Sequence, residues 1–454
     1  MQIREPWHVA VIQALRRYRW TEIRLLLIPF MILLIGMTQL QLIDNGPAKV
    51  TKQSLPPLDS LVPAIGLIIA LVITHVILQA LLADADQLLL PLAGLLTSIG
   101  VLMALRLGPD VGDPSLGTRQ LMWAIVGLFL CIMTILVTRS TRWLRLYKYT
   151  WALLGLLLVA ITLVHALHGA NFNSPTHDQL NLGPSGFSIQ PSEFLKICLV
   201  IFFAAYLDEN YEILAKGGPK FGPFRLPPAK QLAPLLVMLG LSLLIFVGLR
   251  ELGLALLIFG IFLSMIYLGS GRLIYIISAL VLFFAGAYIC YLIFGYVRTR
   301  VEVAINPWPY AQDASYQIVQ GLIALASGGI FGAGLGLGHP AIVPAVQTDY
   351  IFAAIGDELG LAGIIALISI YMLLVARGFA IAINAHDRFH QLLAAGLTVV
   401  FAIQTIVIIA GNLKLIPLTG IPLPFISYGG SSLVANFIMI GLLLRISTNR
   451  HQSA

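Results

Sequence analysis

Long apolar runs with almost no charge recur along the chain, and they limit its fold more than any other feature. A helix that crosses a membrane needs roughly 20 mostly apolar residues. Twelve segments approach or meet this need: 25–43, 61–82, 88–105, 121–138, 150–167, 194–207, 232–249, 252–268, 273–297, 350–376, 391–410 and 425–444. Only helices and closed barrels satisfy their backbone in lipid, and these runs far exceed the ~10-residue strands of a barrel. The sequence therefore predicts an all-α, polytopic membrane protein with about 12 transmembrane helices.

The composition agrees with this fold class. Hydrophobic residues make up 59% of the chain and charged residues only 10%. Soluble domains are typically about 45–50% apolar and about 25% charged, so this chain has too little polar surface to stay in water. A soluble enzyme, a disordered linker and a nucleic-acid-binding domain are excluded. We expect membrane lipids as partners and no nucleic acid.

The positions of the lysines and arginines predict the orientation. Arg4, Arg16, Arg17, Arg19 and Arg24 precede a long apolar run with no small-residue cleavage site, which indicates a signal anchor that stays as the first span. With both termini in the cytoplasm, 18 of the 27 Lys and Arg residues fall on the inside. The opposite orientation violates the positive-inside rule. We therefore expect a multi-pass protein of the cytoplasmic membrane.

Two of the segments predicted to lie outside are long, 168–192 and 298–348. Loops of this length are uncommon unless they are functional. The second contains a short amphipathic helix at 316–329, expected to lie at the interface. The glycine-rich run after it, GGIFGAGLGLG at 328–338, follows no strand and lacks the Lys-Ser/Thr ending of a phosphate-binding loop. We expect flexible backbone packed near the membrane surface.

Asp349 is the first candidate for chemistry, because it precedes the tenth predicted span in QTDYIFAAIGDELG at 347–360. On the residues alone, two interpretations stay open. The carboxylate caps the helix, or it faces an outer cavity and acts as a general base if burial raises its pKa. Asp357 and Glu358 lie about 12–14 Å deeper and on other sides of the helix, so we expect them to make structural pairings.

Other charged residues near the predicted outer face have two interpretations each. Glu193 and Lys196 are three residues apart on one helix and can pair with each other. Alternatively, one of them faces the cavity and contacts a polar headgroup. Arg298, Arg300 and Lys414 are scarce outer cations that together could hold an anionic phosphate. The alternative is ordinary snorkelling at the interface.

No pattern indicates a tightly held metal or a disulfide framework. Cys131, Cys198 and Cys290 lie in separate apolar runs without metal-ligand spacing, and His75 and His165 are isolated and expected to pack. The sequence leaves open whether a divalent cation takes part.

The segment IPLPFISYGGSSLVAN at 421–436 predicts a broken, polar entrance to the last helix. Irregular backbone at this depth is tolerated only beside a cavity.

Four motifs in order carry a resemblance to a known family: QPSEFLK at 190–196, YQIVQGLIALASGGIFGAGLG at 316–336, TDYIFAAIGDELGLAG at 348–363 and PFISYGGSS at 424–432. With these residues the sequence resembles the SEDS family (shape, elongation, division and sporulation), of the FtsW, RodA and SpoVE type. The resemblance covers roughly 88–448 and implies ten spans with a large extracytoplasmic loop, here 298–348 between spans nine and ten. It implies that 1–87 adds a basic cytoplasmic segment and two helices, and that 449–454 is a cytoplasmic tail.

The resemblance implies a peptidoglycan glycosyltransferase that polymerises lipid II, a disaccharide-pentapeptide on undecaprenyl diphosphate, at the outer membrane face for elongation or division. It implies a class B penicillin-binding protein, a transpeptidase, as the partner. The family's catalytic Asp falls on Asp349, and its acid–base pair falls on Glu193 and Lys196. The further residues expected to bind substrate are Arg298, Arg300, Tyr316, Gln317, Gln320, Lys414, Ser427 and Ser431. Two alternatives are a lipid II flippase and a non-catalytic scaffold for the transpeptidase.

The sequence departs from the family pattern at three places. Asp178 and Gln179, in HDQLNLG at 177–183, stand where the family often has Arg-Trp. Glu251, in LRELG at 249–253, replaces a shorter acidic residue, and the family's GEELG reads GDELG at 356–360. These motifs do not distinguish a role in elongation from one in division or sporulation.

Overall fold

The computed structural model of the protein describes residues 18–45, 58–168, 180–181, 188–216, 220–221, 224–225 and 229–448. The predictions that involve Arg4, Arg16, Arg17, Asp178 and Gln179 fall outside these ranges. The same holds for the predicted tail 449–454.

Sixteen α-helices lie within the described residues. They are α1 Trp20–Asn45, α2 Leu58–Leu81, α3 Leu89–Leu107, α4 Leu116–Val137, α5 Arg142–Leu146, α6 Lys148–His168, α7 Ser192–Glu209, α8 Tyr211–Lys216, α9 Ala229–Gly248, α10 Leu252–Ser270, α11 Leu273–Ile293, α12 Gly295–Ile305, α13 Tyr316–Ser327, α14 Ile351–Ile383, α15 Arg388–Asn412 and α16 Gly430–Ser447. The described residues also form two short 3-10 helices, Trp308–Tyr310 and Pro340–Ile342, and two antiparallel hairpins of two-residue strands: β1 Leu180–Asn181 with β2 Ser188–Ile189, and β3 Lys220–Phe221 with β4 Phe224–Arg225.

The prediction of an all-α, polytopic membrane protein is confirmed. Within the described ranges, eleven helices are long and apolar enough to cross a membrane. The sixth predicted span forms α7, an 18-residue helix that carries Glu193, Lys196, Asp208 and Glu209 and is otherwise apolar and buried. It can tolerate charge because other helices, not lipid, surround most of it.

The core of the bundle consists of α3, α7, α10, α15 and α16, whose residues are mostly buried. α15 packs against α7, α10 and α14, and α16 packs along α4. The outer helices, among them α1, α2, α6 and α9, turn apolar side chains towards the lipid. α11 is the extreme case, since Tyr275 is its one buried residue. Burying lipid-facing leucines and isoleucines inside the protein would gain no hydrophobic free energy, because lipid tails are equally apolar.

Several predicted spans end at different residues in the structure; the span 350–376, for example, stops seven residues before the end of α14 at Ile383. Two other differences follow from the local backbone. The prediction 273–297 runs through Phe294, but α11 ends at Ile293, because Phe294 is extended with φ −104° and ψ 113° and α12 starts anew after it. The last span was predicted to begin at 425, whereas α16 begins at Gly430. The backbone between them is not helical, because Phe425 has a positive φ of 66° and Gly429 has φ 172° and ψ 105°.

The tenth predicted span is not continuous, because α14 is broken at Gly360, where φ is 65° and ψ is −167°. Before the break, the residues from Ile351 to Glu358 are all buried. After it, residues 361–383 expose one face to lipid, and these 23 residues reach about 34 Å, enough to cross the bilayer alone. The prediction of one regular span over 350–376 was therefore wrong at this point.

The glycine-rich run packs against this break. We call Gly328–Gly338 the glycine loop. Its amides and carbonyls bond the interrupted backbone: Ala333 N–H donates to the Asp357 carbonyl at 2.9 Å, and Leu361 N–H donates to the Gly329 carbonyl at 3.0 Å. The loop lies so close that a Cβ on Gly328 would stand 1.9 Å from the Gly356 carbonyl oxygen. Glycine is needed because no side chain fits between the two backbones.

Candidate functional site

A cavity of about 520 Å³ opens where α14 begins, at the end of the bundle that the sequence predicts to face outside. Five separated parts of the chain form its walls: β2 with the residues before α7, the turn before α10, α12 with α13, the segment that leads to α14, and the loop before α16 with the start of that helix. The polar and charged residues that line it are Ser188, Gln190, Glu251, Thr299, Arg300, Gln317, Thr348, Asp349, Thr419, Tyr428 and Ser431.

Asp349 stands in this wall, half-buried, directly before α14. The N-cap residue of α14 is Tyr350, so the carboxylate of Asp349 does not occupy the capping position. Its backbone is held on both sides. Asp349 N–H donates to the Ala345 carbonyl at 3.1 Å, and the side-chain amide of Asn412 on α15 donates to the Asp349 carbonyl at 2.9 Å. The sequence left capping and a cavity-facing carboxylate open, and this geometry favours the second.

The electrostatics of the cavity act on the acidity of Asp349. Burial raises the pKa of the Asp349 carboxyl above its ordinary value, while a hydrogen bond with Thr348 and the positive charge of Arg300 act in the opposite direction. Burial is the largest of these causes, so the carboxylate is a stronger base than a solvated aspartate. A raised pKa brings a carboxylate closer to the value that suits a general base at neutral pH.

The loop before α16 fixes the residues that precede Asp349. The Ser427 hydroxyl donates to the Thr348 carbonyl at 2.6 Å and accepts from Leu423 N–H at 2.8 Å. Tyr428 N–H donates to the Gln347 carbonyl at 2.8 Å. Ser427 was predicted to bind substrate, but its buried hydroxyl is used by the backbone behind the cavity wall. It is therefore placed to position Thr348 and Asp349 rather than to contact a ligand.

Glu193 and Lys196 form a fully buried pair on α7. Lys196 Nζ lies 2.8 Å from Glu193 Oε2 and donates to Gln404 Oε1 on α15 at 2.8 Å. Gln404 in turn donates from Nε2 to the carbonyl of Pro422, 2.7 Å away, and Pro422 lines the cavity. The ion pair thus lies one residue behind the wall and is connected to it by Gln404.

Arg300, Gln317 and Ser431 are the predicted substrate-binding residues that line the cavity in the described part of the chain. Gln317 Nε2 donates to the Pro344 carbonyl at 2.9 Å, and the Ser431 hydroxyl accepts from Gln190 N–H at 3.0 Å. Both contacts tie one wall of the cavity to another.

The other predicted cations and polar residues lie outside the lining. The Arg298 guanidinium stands 5.5 Å from the ring centre of Tyr291. Lys414 has a positive φ of 59° in the turn after α15. Tyr316 and Gln320 belong to α13 but are not among the described lining residues.

Several lining residues were not predicted as site residues. Glu251 reaches the cavity from the turn before α10, and Tyr428 from the loop before α16. Glu251 belongs to the motif LRELG and Tyr428 to PFISYGGSS, but only the fold brings these distant segments together. Within the described ranges, no three His, Cys, Asp or Glu side chains gather as metal ligands would.

The helical bundle and its cavity define the class: a polytopic membrane protein with a polar, charged pocket at one end of the bundle. A family model described as "Cell cycle protein", that of FtsW, RodA and SpoVE, matches residues 86–452. The chain belongs to this family. The match begins in the turn before α3, so α1 and α2 precede it.

Curated relatives cover most of the chain. The chain is 39% identical over 380 residues to the peptidoglycan glycosyltransferase RodA of Mycobacterium tuberculosis. This alignment covers 82% of this chain and 80% of that protein. It is 32% identical to the probable peptidoglycan glycosyltransferase FtsW of Geobacter metallireducens, over 80% of this chain and 94% of that protein.

Solved structures share the fold. One chain from a study of how a peptidoglycan synthase complex coordinates polymerization and crosslinking superposes with a TM-score of 0.63 at 25% identity, over 81% of this chain and 99% of that chain. A mutant of the rod shape determining protein RodA of Thermus thermophilus superposes with a TM-score of 0.57 at 25% identity and the same coverage.

Proposed function

We propose that this membrane enzyme is a peptidoglycan glycosyltransferase that polymerises lipid II, with Asp349 as its catalytic base. The observation that carries the proposal is the position of Asp349: its carboxylate lines a polar cavity beside Arg300 and its pKa is raised by burial. The two curated relatives described above are named as peptidoglycan glycosyltransferases, which supports the reaction class.

In the proposed reaction, a hydroxyl of the acceptor sugar attacks the anomeric carbon of the donor. The new carbon–oxygen bond forms as the bond between the anomeric carbon and the diphosphate oxygen breaks, and undecaprenyl diphosphate leaves with the electron pair. Asp349 accepts the hydroxyl proton, and Arg300 stabilises the negative charge that develops on the diphosphate. A single displacement of this kind inverts the anomeric centre, by analogy with inverting glycosidases.

The location of the cavity suits a lipid-linked substrate. It lies at the end of the bundle, so a headgroup can enter it while the lipid tail stays in the bilayer. We propose that this end faces outside and that both termini face the cytoplasm. The opposite end supports this orientation, because Arg377 lies there in the C-terminal part of α14 and Arg445 lies in the last turn of α16.

A partner is part of the proposal. The structural neighbour described above comes from a complex that coordinates polymerization and crosslinking. We propose that this chain works with a class B penicillin-binding protein, whose transpeptidase activity cross-links the glycan strands.

The proposal is tested with the purified full-length protein in lipid nanodiscs, its co-purified partner and fluorescently labelled lipid II. We expect glycan polymer on a gel, and no polymer from the partner alone. Movement of lipid II across vesicle membranes without polymer would contradict the proposal and favour a flippase. Neither polymer nor movement, in a preparation that still binds the transpeptidase, would favour a scaffold.

A further inference from the structure

The first helix, α1, is fixed at its start by a buried arginine. The Arg19 guanidinium pairs with Glu22 and donates to the carbonyls of Leu82 at 2.8 Å, Ala85 at 3.0 Å and Asp86 at 2.7 Å. Leu82, Ala85 and Asp86 belong to the turn between α2 and α3. A buried arginine satisfied by so many acceptors is costly to displace. This end of α1 therefore has a defined position against the core.

The middle of α1 packs tightly on α3. Gly36 stands so close to it that an added Cβ would lie 2.4 Å from Leu102 Cδ2. Leu33 and Met37, on the same side of α1, are buried. Small residues at a helix contact let two backbones approach, which favours a firm van der Waals interface in lipid. α1 is therefore held along its length, not only at its start.

The far end of α1 contacts the glycine loop. Gln39 Nε2 donates to the Leu335 carbonyl at 3.2 Å. A Cβ on Gly336 would lie 3.0 Å from Leu40 Cδ2 and 3.0 Å from Ile43 Cδ1, so these two side chains fill the space against the loop backbone. Gly336 has a φ of 83°, which glycine adopts without strain.

Two adjacent carboxylates hold the other side of the same loop. Asp357 accepts from the Ser327 hydroxyl at 2.5 Å and from His339 N–H at 3.0 Å, so it joins the two ends of the glycine loop. Glu358 accepts from Gly336 N–H at 3.1 Å and from Arg106 Nε at 2.8 Å. The loop thus lies between α1 on one side and α14 on the other.

The glycine loop connects two walls of the cavity. It begins where α13 ends, and α13 contributes Gln317 and Ile318 to the lining. It is followed by the segment that contributes Pro344, Thr348 and Asp349. A shift of the loop backbone therefore moves both walls relative to each other, and with them the catalytic carboxylate.

From these contacts we infer that α1 is a positioning element of the active site: Gln39, Leu40 and Ile43 hold the glycine loop in the conformation that aligns the two cavity walls. This inference rests on the proposed glycosyltransferase function. The helix lies before residue 86, where the family match begins, so the contact is an addition of this chain to the matched core.

The test compares two triple variants of α1 in the full-length protein. Gln39→Leu, Leu40→Ala and Ile43→Ala remove the contact with the loop. The control, Leu34→Ala, Ile35→Ala and Leu42→Ala, truncates three apolar side chains at exposed positions of the same helix and so removes at least as much apolar volume. Both are measured by hydrogen exchange in nanodiscs and by the initial rate of lipid II polymerisation with the partner. The single, nearly isosteric Gln39→Leu variant replaces the triple variant if the latter does not fold.

We expect the amides of Ala333, Gly334 and Gly336 to exchange at least about 10-fold faster in the contact variant, because their bonds to Asp357 and Glu358 open more often. We expect kcat to fall about 10-fold with KM changed less than about twofold, since the reacting groups are misaligned but the headgroup still binds. The control variant should match the wild type in both measurements.

Two results would overturn the inference. Unchanged exchange in the loop means that α1 does not hold it. Faster exchange with a full polymerisation rate means that the loop does not align the site. The exchange measurement needs no activity, so a wild-type protein that forms no polymer would contradict the proposed function without deciding whether α1 holds the loop.

Discussion

The side-chain amide of Asn412 donates a 2.9 Å hydrogen bond to the main-chain carbonyl of Asp349, and so α15 fixes the backbone of the proposed catalytic base. Asn412 is almost fully buried, at 1% exposure. Replacing it with Leu removes the donor while it keeps the branched shape and the number of side-chain heavy atoms. We expect kcat for lipid II polymerisation to fall about 10- to 100-fold, because small displacements of a reacting group have effects of this size. The matched control is Asn384→Leu, at the exposed C-terminus of α14, which should leave kcat unchanged.

The charge of Arg300 should set the pH at which activity is lost on the acidic side. In the proposed mechanism the base must be ionised, so we expect activity to fall as pH drops through the Asp349 pKa. Arg300 lowers that pKa, and Arg300→Gln should therefore move the acidic limb of the kcat/KM profile to higher pH. The profile is measured with labelled lipid II, and Arg142→Gln, an exposed arginine on α5, is the control. A limb that stays in place or moves down would contradict this assignment.

Gln404 should stabilise the fold as well as the cavity wall, because it joins Lys196 to the Pro422 carbonyl. Gln404→Leu leaves a buried ammonium and a buried carbonyl each short of one partner. We expect a loss of about 2–4 kcal/mol in the free energy of unfolding. Thermal unfolding in detergent measures this loss, and we expect the variant to melt at a lower temperature than the wild type. Gln391→Leu, at an exposed position near the start of the same helix, should change stability by less than about 0.5 kcal/mol.

Gly360→Ala tests the break in α14. Its backbone has φ 65° and ψ −167°, and an added Cβ would lie 2.3 Å from the Gly332 amide nitrogen. We expect a destabilisation of at least about 2–3 kcal/mol, since both the conformation and the contact exclude a side chain. Gly240→Ala is the control, because a Cβ there meets nothing within 4 Å and alanine favours a helix interior. Equal melting temperatures for the two variants would contradict the account of the break.

Much of the fold follows from hydropathy alone. Each apolar run forms a helix, because lipid forces a helix wherever it excludes water, although single ends differ from the predicted ones by up to seven residues. The interruptions at Phe294 and Gly360 do not follow from it. The break at Gly360 depends on what packs beside the chain: the glycine loop supplies the hydrogen bonds that α14 loses there, and nothing in the local sequence indicates that contact.

The sequence predicted only part of the site, because the side chains that line the cavity depend on the fold. Asp349, Arg300, Gln317 and Ser431 were predicted from charge, polarity and motif, and the fold brings them to one cavity. Ser427 belongs to the same motif as Ser431, yet its hydroxyl bonds the Thr348 carbonyl behind the wall. A motif marks a segment as important. Backbone conformation determines which of its side chains faces the cavity, and the amino-acid sequence alone does not show that conformation.

The most direct test of the central claim separates binding from chemistry at Asp349. Lipid II binding and the initial rate of polymerisation are measured on the same nanodisc preparations of the wild type, Asp349→Asn and Asp313→Asn, the last being an exposed residue before α13. We predict that Asp349→Asn binds lipid II within about twofold of the wild type but polymerises it at least about 100-fold more slowly, since a general base alone contributes 10²–10⁴-fold. We predict no effect of Asp313→Asn. Polymerisation by Asp349→Asn at the wild-type rate would contradict the assignment of Asp349 as the catalytic base.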